Sequence, residues 1–138
     1  MSSLRDKVAL VTGGSRGIGR AIALALADEG VHVAFTYKSA ADAAKKVVTQ
    51  IEEKNQRVVA YQSDAKDLNS AVQVVDSVVK EFQRLDILVN NAGITRDTLI
   101  MRMSEQDWDE VLETNLKSAF NFSKAVCRQM MSQREGKI

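Results

Sequence analysis

The sequence predicts an α/β fold in which a doubly wound parallel sheet, with the strand order 3-2-1-4, carries helices on both faces. Apolar runs typical of strands alternate four times with segments typical of helices, and a glycine-rich turn joins the first strand to the first helix. Parallel neighbours need crossover helices, and such crossovers are right-handed. With 138 residues, 45% hydrophobic and 27% charged, the chain is long enough for one core. We therefore expect a single domain over residues 1–138.

The first strand and the glycine turn predict an anion site. Residues 7–11 form a short apolar run, and apolar residues at helical spacing follow the turn. The first N–H groups of a helix lack partners within it and its dipole is positive there, so an anion is favoured at its mouth. Gly13 permits a sharp turn, Gly17 close backbone approach, and Gly19 tight packing of helix on strand. The spacing Gly-x-x-x-Gly-x-Gly differs from the common dinucleotide pattern, and an ordinary turn that binds nothing is the alternative.

The remaining strands and the middle helices follow in order. The second, third and fourth strands are predicted at residues 31–36, 57–61 and 86–90. One helix is predicted from Ala41 to about Lys54, and another begins after Asp67, whose side chain suits an N-cap. The core stripe of that second helix is predicted at Leu68, Val72, Val75, Val79 and Phe82.

A long amphipathic helix closes the predicted pattern. Ser104 and Asp107 have the spacing of a helix start, and the helix is predicted from Glu105 to about Arg134. Its core stripe is predicted at Trp108, Val111, Leu112, Leu116, Ala119, Phe120, Phe122, Val126 and Met130. Asn115 falls within this stripe, so its amide either satisfies a neighbouring backbone group or serves an active site.

Composition excludes several classes of function. The net charge of +1 gives no basic excess to neutralise a phosphate backbone, so we expect no nucleic-acid partner. No apolar run reaches the length of a membrane span and the first residues lack a signal-peptide core, so we expect a cytoplasmic protein without a membrane partner. The single cysteine, Cys127, has no partner for a disulfide or a metal site and is expected to be a small buried apolar residue.

Residues just after the strands are the candidate ligand contacts, because ligands in this fold bind beyond the carboxyl ends of the strands. Arg16 in the glycine loop and Lys38 after the second strand favour NADP, whose 2′-phosphate needs cations, although two unrelated surface charges are the alternative. Asp64, after the third strand, either accepts a hydrogen bond from an adenine amino group or caps a turn. After the fourth strand, Asn90-Asn91-Ala92-Gly93 either ties loops together and touches the ligand or forms a plain turn.

These motifs together resemble the short-chain dehydrogenase/reductase family. The resemblance covers nearly the whole chain and rests on Thr12-Gly13-x-x-x-Gly17-Ile18-Gly19, Asp64, Asn90-Asn91-Ala92-Gly93 and Asn115. The stretch from Asn90 to Met103, with Trp108 and Glu113-Thr114-Asn115-Leu116, is most similar to the 3-oxoacyl-[acyl-carrier-protein] reductases of fatty-acid synthesis.

The resemblance implies a Rossmann fold that binds NADPH, reduces a 3-oxoacyl thioester carried by acyl carrier protein, and forms a homo-oligomer. It implies that Lys38 lies at the 2′-phosphate, that Asp64 and Ala65 flank adenine, and that Asn115 is a catalytic residue ordering a proton-relay water. It implies that the diphosphate and the 2′-phosphate are held by the glycine loop, which comprises Gly13, Gly14, Ser15, Arg16, Gly17, Ile18 and Gly19. It implies that the cofactor is also lined after the fourth strand by Asn90, Ala92 and Gly93.

The sequence departs from the family where the carbonyl oxygen is protonated. The family uses a Tyr with a Lys four residues on, assisted by a Ser, and neither Tyr37 nor Tyr61 has a Lys at that spacing. The last residues, 136–138, resemble the start of a fifth strand. We therefore expect a truncated reductase, an incomplete NADP-binding domain that binds cofactor weakly and reduces nothing. The alternative is a non-catalytic half-Rossmann module that binds a nucleotide or pairs with another chain.

Overall fold

A computed structural model describes residues 3–138. Within these residues a four-stranded parallel sheet has the order β3-β2-β1-β4, which confirms the predicted fold class and strand order. The strands are β1 (Val8–Val11), β2 (His32–Tyr37), β3 (Val58–Gln62) and β4 (Ile87–Val89). Lys137 forms one further parallel bridge, with Ile87 on the outer side of β4, where the sequence predicts the start of a fifth strand.

Helices connect the strands and continue after β4. The α-helices of residues 3–138 are α1 (Gly17–Asp28), α2 (Ala41–Glu52), α3 (Leu68–Phe82), α4 (Glu105–Val111) and α5 (Ser118–Gln133). A 3-10 helix, Ile100–Arg102, precedes α4, and a π-helical segment, Leu112–Lys117, joins α4 to α5. Two predicted helix starts are confirmed: the Asp67 carboxylate accepts the N–H of Asn69, and Ser104 forms a reciprocal capping box with Asp107.

The sheet separates two hydrophobic cores because successive strand residues point to opposite faces. Val8 and Leu10 of β1 face the core formed with α3 and α5, which includes Phe122. Val11 of β1 and Phe35 of β2 face the core formed with α1 and α2. Full burial of one such side chain stabilises the fold by about 1.5–3 kcal/mol, so the two layers hold the helices against the sheet.

The long helix differs from the sequence prediction in two ways. The π-helical segment interrupts it, and the front half of its predicted core stripe is exposed at Trp108, Leu112, Leu116 and Phe120. The rear half is buried as predicted, at Phe122, Val126 and Met130. α5 packs against α3 and β4, whereas within residues 3–138 the face of α4 and the π segment has no comparable cover. An extra residue in a π turn also breaks the spacing of 3.6 on which a continuous stripe depends.

Two smaller predictions also need correction. The stripe of α3 is confirmed at Val75 and Phe82, which are buried, but Val72 is exposed, and Ala71, Val74 and Val78 are buried instead. Cys127 is exposed, not buried, because it lies on the outer side of α5.

A buried carboxylate fixes the start of β1. Asp86 is only 3% exposed and accepts hydrogen bonds from the Val8 N–H at 2.9 Å and from Arg84 Nε and Nη2 at 2.7 and 2.8 Å. Burial raises the pKa of Asp86, but the hydrogen bonds from Arg84 and Val8 and the charges of Arg84 and Lys7 outweigh burial and leave the pKa below its ordinary value. The ionised carboxylate therefore ties β1 to the segment that precedes β4.

No helix in the described part of the chain is both long and apolar enough to cross a membrane. Residues 3–138 also contain no group of three or more His, Cys, Asp or Glu side chains arranged to hold a metal ion.

Candidate functional site

A cleft of about 380 Å³ lies beyond the carboxyl ends of the strands. It collects residues from the loops after β1, β2, β3 and β4, as the fold class predicts. The predicted site residues that line it are Gly13, Ser15, Arg16, Gly17, Ile18, Lys38, Asp64, Ala65, Ala92 and Gly93. Residues spread over 80 positions of sequence thus meet at one opening.

The glycine turn presents backbone to this cleft. Gly13 and Gly17 have φ values of +68° and +57°, a conformation that side-chain-bearing residues rarely adopt. A Cβ atom at Gly17 would meet no atom within 4 Å, so the backbone there is open to a ligand. Helix α1 begins at Gly17, and its N-cap, Arg16, provides no side-chain hydrogen bond among the described residues. The N–H groups of Gly17, Ile18 and Gly19 make no hydrogen bond to other residues in the range 3–138, so they can bind an anion.

Two further glycines of the turn serve packing beneath the cleft. A Cβ atom at Gly14 would lie 2.6 Å from Cβ of Phe35, a core residue of β2. A Cβ atom at Gly19 would lie 2.1 Å from the carbonyl oxygen of Gly13 and 2.4 Å from Nδ2 of Asn91. The sequence predicts a packing role for Gly19, whereas Gly14, which the resemblance places against the phosphates, is buried against β2.

A network between the turn and the loop after β4 holds the turn in shape. Asn91 Nδ2 donates to the carbonyl oxygens of Thr12 and Gly13, both at 3.0 Å. The buried hydroxyl of Thr12 in turn accepts the N–H groups of Asn91 and Ala92, both at 3.0 Å. The ties between adjacent loops that the Asn90-Asn91 pair predicts are thus made by Asn91. Thr12 was not among the predicted site residues. The sequence feature that could have identified it is a hydroxyl side chain at the end of a buried strand.

Two exposed cations line the cleft. Arg16 and Lys38 are both exposed and both line it, and Gln62 Nε2 holds the carbonyl oxygen of Lys38 at 3.0 Å. Asp28 lies at the C-terminal end of α1 and pairs with Lys54. Asp64 lines the cleft, and its carboxylate accepts the N–H of Lys66 at 3.2 Å, which is the turn-capping arrangement.

Two predicted asparagines lie elsewhere than expected. The side chain of Asn90 points to α5, where Nδ2 donates to Ser123 Oγ at 3.2 Å, and Asn90 is absent from the cleft lining. Asn115 is exposed and does not face the core. Its Oδ1 accepts the N–H of Ile94 at 2.7 Å and its Nδ2 donates to the carbonyl oxygen of Ile94 at 3.0 Å. The amide therefore holds the backbone of a residue that lines the cleft.

Comparisons with known proteins agree with this architecture. A family model described as short chain dehydrogenase matches residues 7–138. The 3-oxoacyl-[acyl-carrier-protein] reductase FabG of Staphylococcus aureus (strain Mu50 / ATCC 700699) is 50% identical over 132 residues, which are 96% of this chain and 54% of that protein. The chain thus spans about half the length of such relatives.

Two solved structures are similar in fold. A short chain dehydrogenase from Burkholderia cenocepacia J2315 in complex with NADP has a TM-score of 0.88 and 44% identity, covering 91% of this chain and 51% of that one. An NAD+-bound xylitol dehydrogenase has a TM-score of 0.92 and 36% identity, covering 97% of this chain and 52% of that one. The chain belongs to the short-chain dehydrogenase family.

Proposed function

We propose that this chain forms the cofactor-binding part of an NADPH-dependent reductase that acts on a 3-oxoacyl thioester carried by acyl carrier protein. The choice of NADPH rests on one observation: two cations, Arg16 and Lys38, line the cleft that the glycine turn also lines. The substrate class is supported by the name of the S. aureus relative. One similar structure holds NADP and another NAD+, so the preference between them is the point to test.

The residues of the cleft fit a dinucleotide. The open backbone at Gly17 and the free N–H groups at the start of α1 suit a diphosphate. Arg16, Lys38 and Ser39 also line the cleft and suit a 2′-phosphate. The loop with Asp64 and Ala65 suits the adenine, which leaves the nicotinamide end to Ala92 and Gly93.

When bound, the nicotinamide supplies the hydride for the carbonyl carbon of the substrate. The chain's own part is to bind and orient this group. Asn91 holds the glycine turn and Asn115 holds the loop after β4. The 138 residues contain no Tyr-x-x-x-Lys, so we propose that they bind cofactor without turning over substrate.

The preference for NADPH is tested by binding. We expect Lys38→Glu to weaken NADPH about ten-fold or more, the effect of one hydrogen bond to a charged group, and to leave NADH affinity nearly unchanged. Lys45→Glu makes the same charge change on an exposed residue of α2 outside the cleft and is the matched control. Fluorescence titration of both cofactors measures the effect. Equal weakening of NADPH and NADH by Lys38→Glu would contradict the assignment.

Turnover is tested separately with NADPH and a 3-oxoacyl thioester. We expect saturable NADPH binding and no loss of NADPH absorbance over time. Steady oxidation by the 138-residue chain would show that a group within it protonates the carbonyl oxygen.

A second candidate function, which does not exclude the first, is self-association through the exposed apolar face of the long helix. This face comprises Leu112, Leu116 and Phe120, which line a shallow cavity of about 580 Å³ with exposed fractions of 40%, 68% and 56%. Exposed apolar patches of this kind mark protein interfaces. We expect a concentration-dependent dimer in sedimentation and its loss in Leu116→Glu. A wild-type chain that stays monomeric at all concentrations would contradict this proposal.

A further inference from the structure

The residues after β3 form a short loop, 63–67, which lines the cleft at Ser63, Asp64 and Ala65. The loop bonds to itself, since Asp64 accepts the N–H groups of Lys66 and Asp67, and Ser63 Oγ lies 2.6 Å from Ser70 Oγ of α3. These contacts set its local shape. They do not fix its distance from the helix on the far side, α5.

One side chain of α5 makes that connection. Asn121 is completely buried, and its Nδ2 donates to the carbonyl oxygen of Ala65 at 3.1 Å. Its Oδ1 has no hydrogen-bond partner among the described residues. The neighbouring side chains of α5, Phe122 and Val126, belong to the apolar core that Ala65 also contacts.

Stability alone does not account for this amide. A buried acceptor without a partner costs about 1–3 kcal/mol, more than one neutral hydrogen bond contributes. An apolar side chain of similar volume at position 121 would remove that unpaired acceptor but would leave the carbonyl oxygen of Ala65 without its donor, so two costs of about 1–3 kcal/mol roughly offset each other. What an apolar residue cannot do is hold the carbonyl oxygen of Ala65.

The helical segment that leads into α5 holds the loop after β4. Ser118, one turn before Asn121, donates to the carbonyl oxygen of Asn115 at 3.1 Å. Asn115 bonds both backbone groups of Ile94. Asn115 lies in the π-helical segment, which runs directly into α5, and Asn121 lies in α5, so one continuous stretch of helix contacts the loops after both β3 and β4.

We propose that Asn121 is a positioning residue for the adenine end of the cofactor, acting through the carbonyl oxygen of Ala65. The proposal rests on the proposed function, in which the loop 63–67 flanks adenine. Asn121 itself touches no ligand. Its role is to keep the loop at the distance from α5 that the adenine requires.

Asn121→Leu tests this role because it removes both polar ends and nearly preserves volume. We expect a chain about as stable as wild type that binds adenosine 2′,5′-bisphosphate about five-fold more weakly, the effect of one neutral hydrogen bond. Reduced nicotinamide mononucleotide, which lacks the adenosine part, should bind equally to both chains. Ser123→Ala is the control, since it removes a bond from α5 to Asn90, which lies outside the cleft lining.

A ligand-free readout accompanies the titrations. Hydrogen exchange at the amides of Lys66 and Asp67 should accelerate in Asn121→Leu and not in Ser123→Ala. Asn121→Ser removes the same bond with a smaller side chain. It should likewise weaken binding of adenosine 2′,5′-bisphosphate without weakening that of reduced nicotinamide mononucleotide, and it replaces Asn121→Leu in the test if that variant does not fold.

The outcomes separate the proposals. Unchanged affinity of the variants for adenosine 2′,5′-bisphosphate, or equal weakening of both fragments, would overturn the positioning role while leaving the proposed function intact. Failure of the wild-type chain to bind adenosine 2′,5′-bisphosphate would overturn both.

Discussion

Replacing Gly19 by Ala tests how far the glycine turn serves packing. The added Cβ atom would lie 2.1 Å from the Gly13 carbonyl oxygen and 2.4 Å from Asn91 Nδ2, more than 1 Å short of normal contact with the oxygen. Because the oxygen belongs to the backbone, α1 must move away from the turn. Overpacking of this kind costs about 1–3 kcal/mol, and weakening the two bonds of Asn91 adds about 1 kcal/mol for each. Replacing a helical glycine by alanine returns about 1 kcal/mol, so we expect a net loss of about 2–4 kcal/mol.

Gly17→Ala is the matched comparison within the same turn. Its Cβ atom meets nothing within 4 Å, so the cost is the strain of a positive φ, about 1–2 kcal/mol. The methyl group would nevertheless occupy the open backbone where we place the diphosphate. We therefore expect Gly17→Ala to weaken NADPH binding strongly at a small cost in stability.

Urea unfolding followed by circular dichroism measures the stabilities, and NADPH titration of the folded fraction measures the affinities. Gly19→Ala should unfold at a clearly lower urea concentration than Gly17→Ala. A Gly19→Ala chain as stable as wild type would refute the claim that α1 packs on the turn through the absent side chain. Wild-type affinity in Gly17→Ala would refute the placement of the diphosphate.

Three further predictions concern polar groups that hold the site and the sheet. Thr12→Val should lose about 2–3 kcal/mol in urea unfolding, because two N–H groups, including that of Asn91, lose their acceptor, and Thr12→Ser should recover most of it. Asp86→Asn should remove part of the acid sensitivity of unfolding. The lowered pKa of Asp86 means that its stabilisation is complete above the pKa of an unfolded aspartate, about 4, and is lost as the pH falls below it. If wild type and Asp86→Asn lose stability equally between neutral and acid pH, the carboxylate is not the source. Asn115→Ala should accelerate hydrogen exchange at the Ile94 amide while leaving global stability nearly unchanged. Unaltered exchange at that amide would contradict the role of Asn115 in holding the backbone of Ile94.

Local patterns along the chain were sufficient to predict the sheet and the glycine turn. Alternating strand and helix signals predict a parallel sheet with both faces covered, and the glycine turn after the first strand is typical of a dinucleotide-binding half, whose strand order is 3-2-1-4. The capping residues Asp67 and Ser104 were also predictable, because an N-cap acts within three residues of its own position. The turn itself was predictable because few residues other than glycine adopt the positive φ angles of Gly13 and Gly17.

The contacts that join distant parts of the chain were decided by the tertiary structure. Helical spacing marks an apolar stripe, but it cannot tell a covered face from an uncovered one, so Leu116 and Phe120 were predicted as core and are exposed. Asn115 was misplaced in the core for the same reason. The pairing of Asn91 with Thr12, 79 residues apart, and the hold of Asn121 on Ala65 depend on which loops the sheet brings together. The sequence by itself determined the fold and the glycine turn, because these follow from local patterns. The tertiary structure alone decided which side chains hold the cleft in shape, because a hydrogen bond between loops depends on distances that only packing sets.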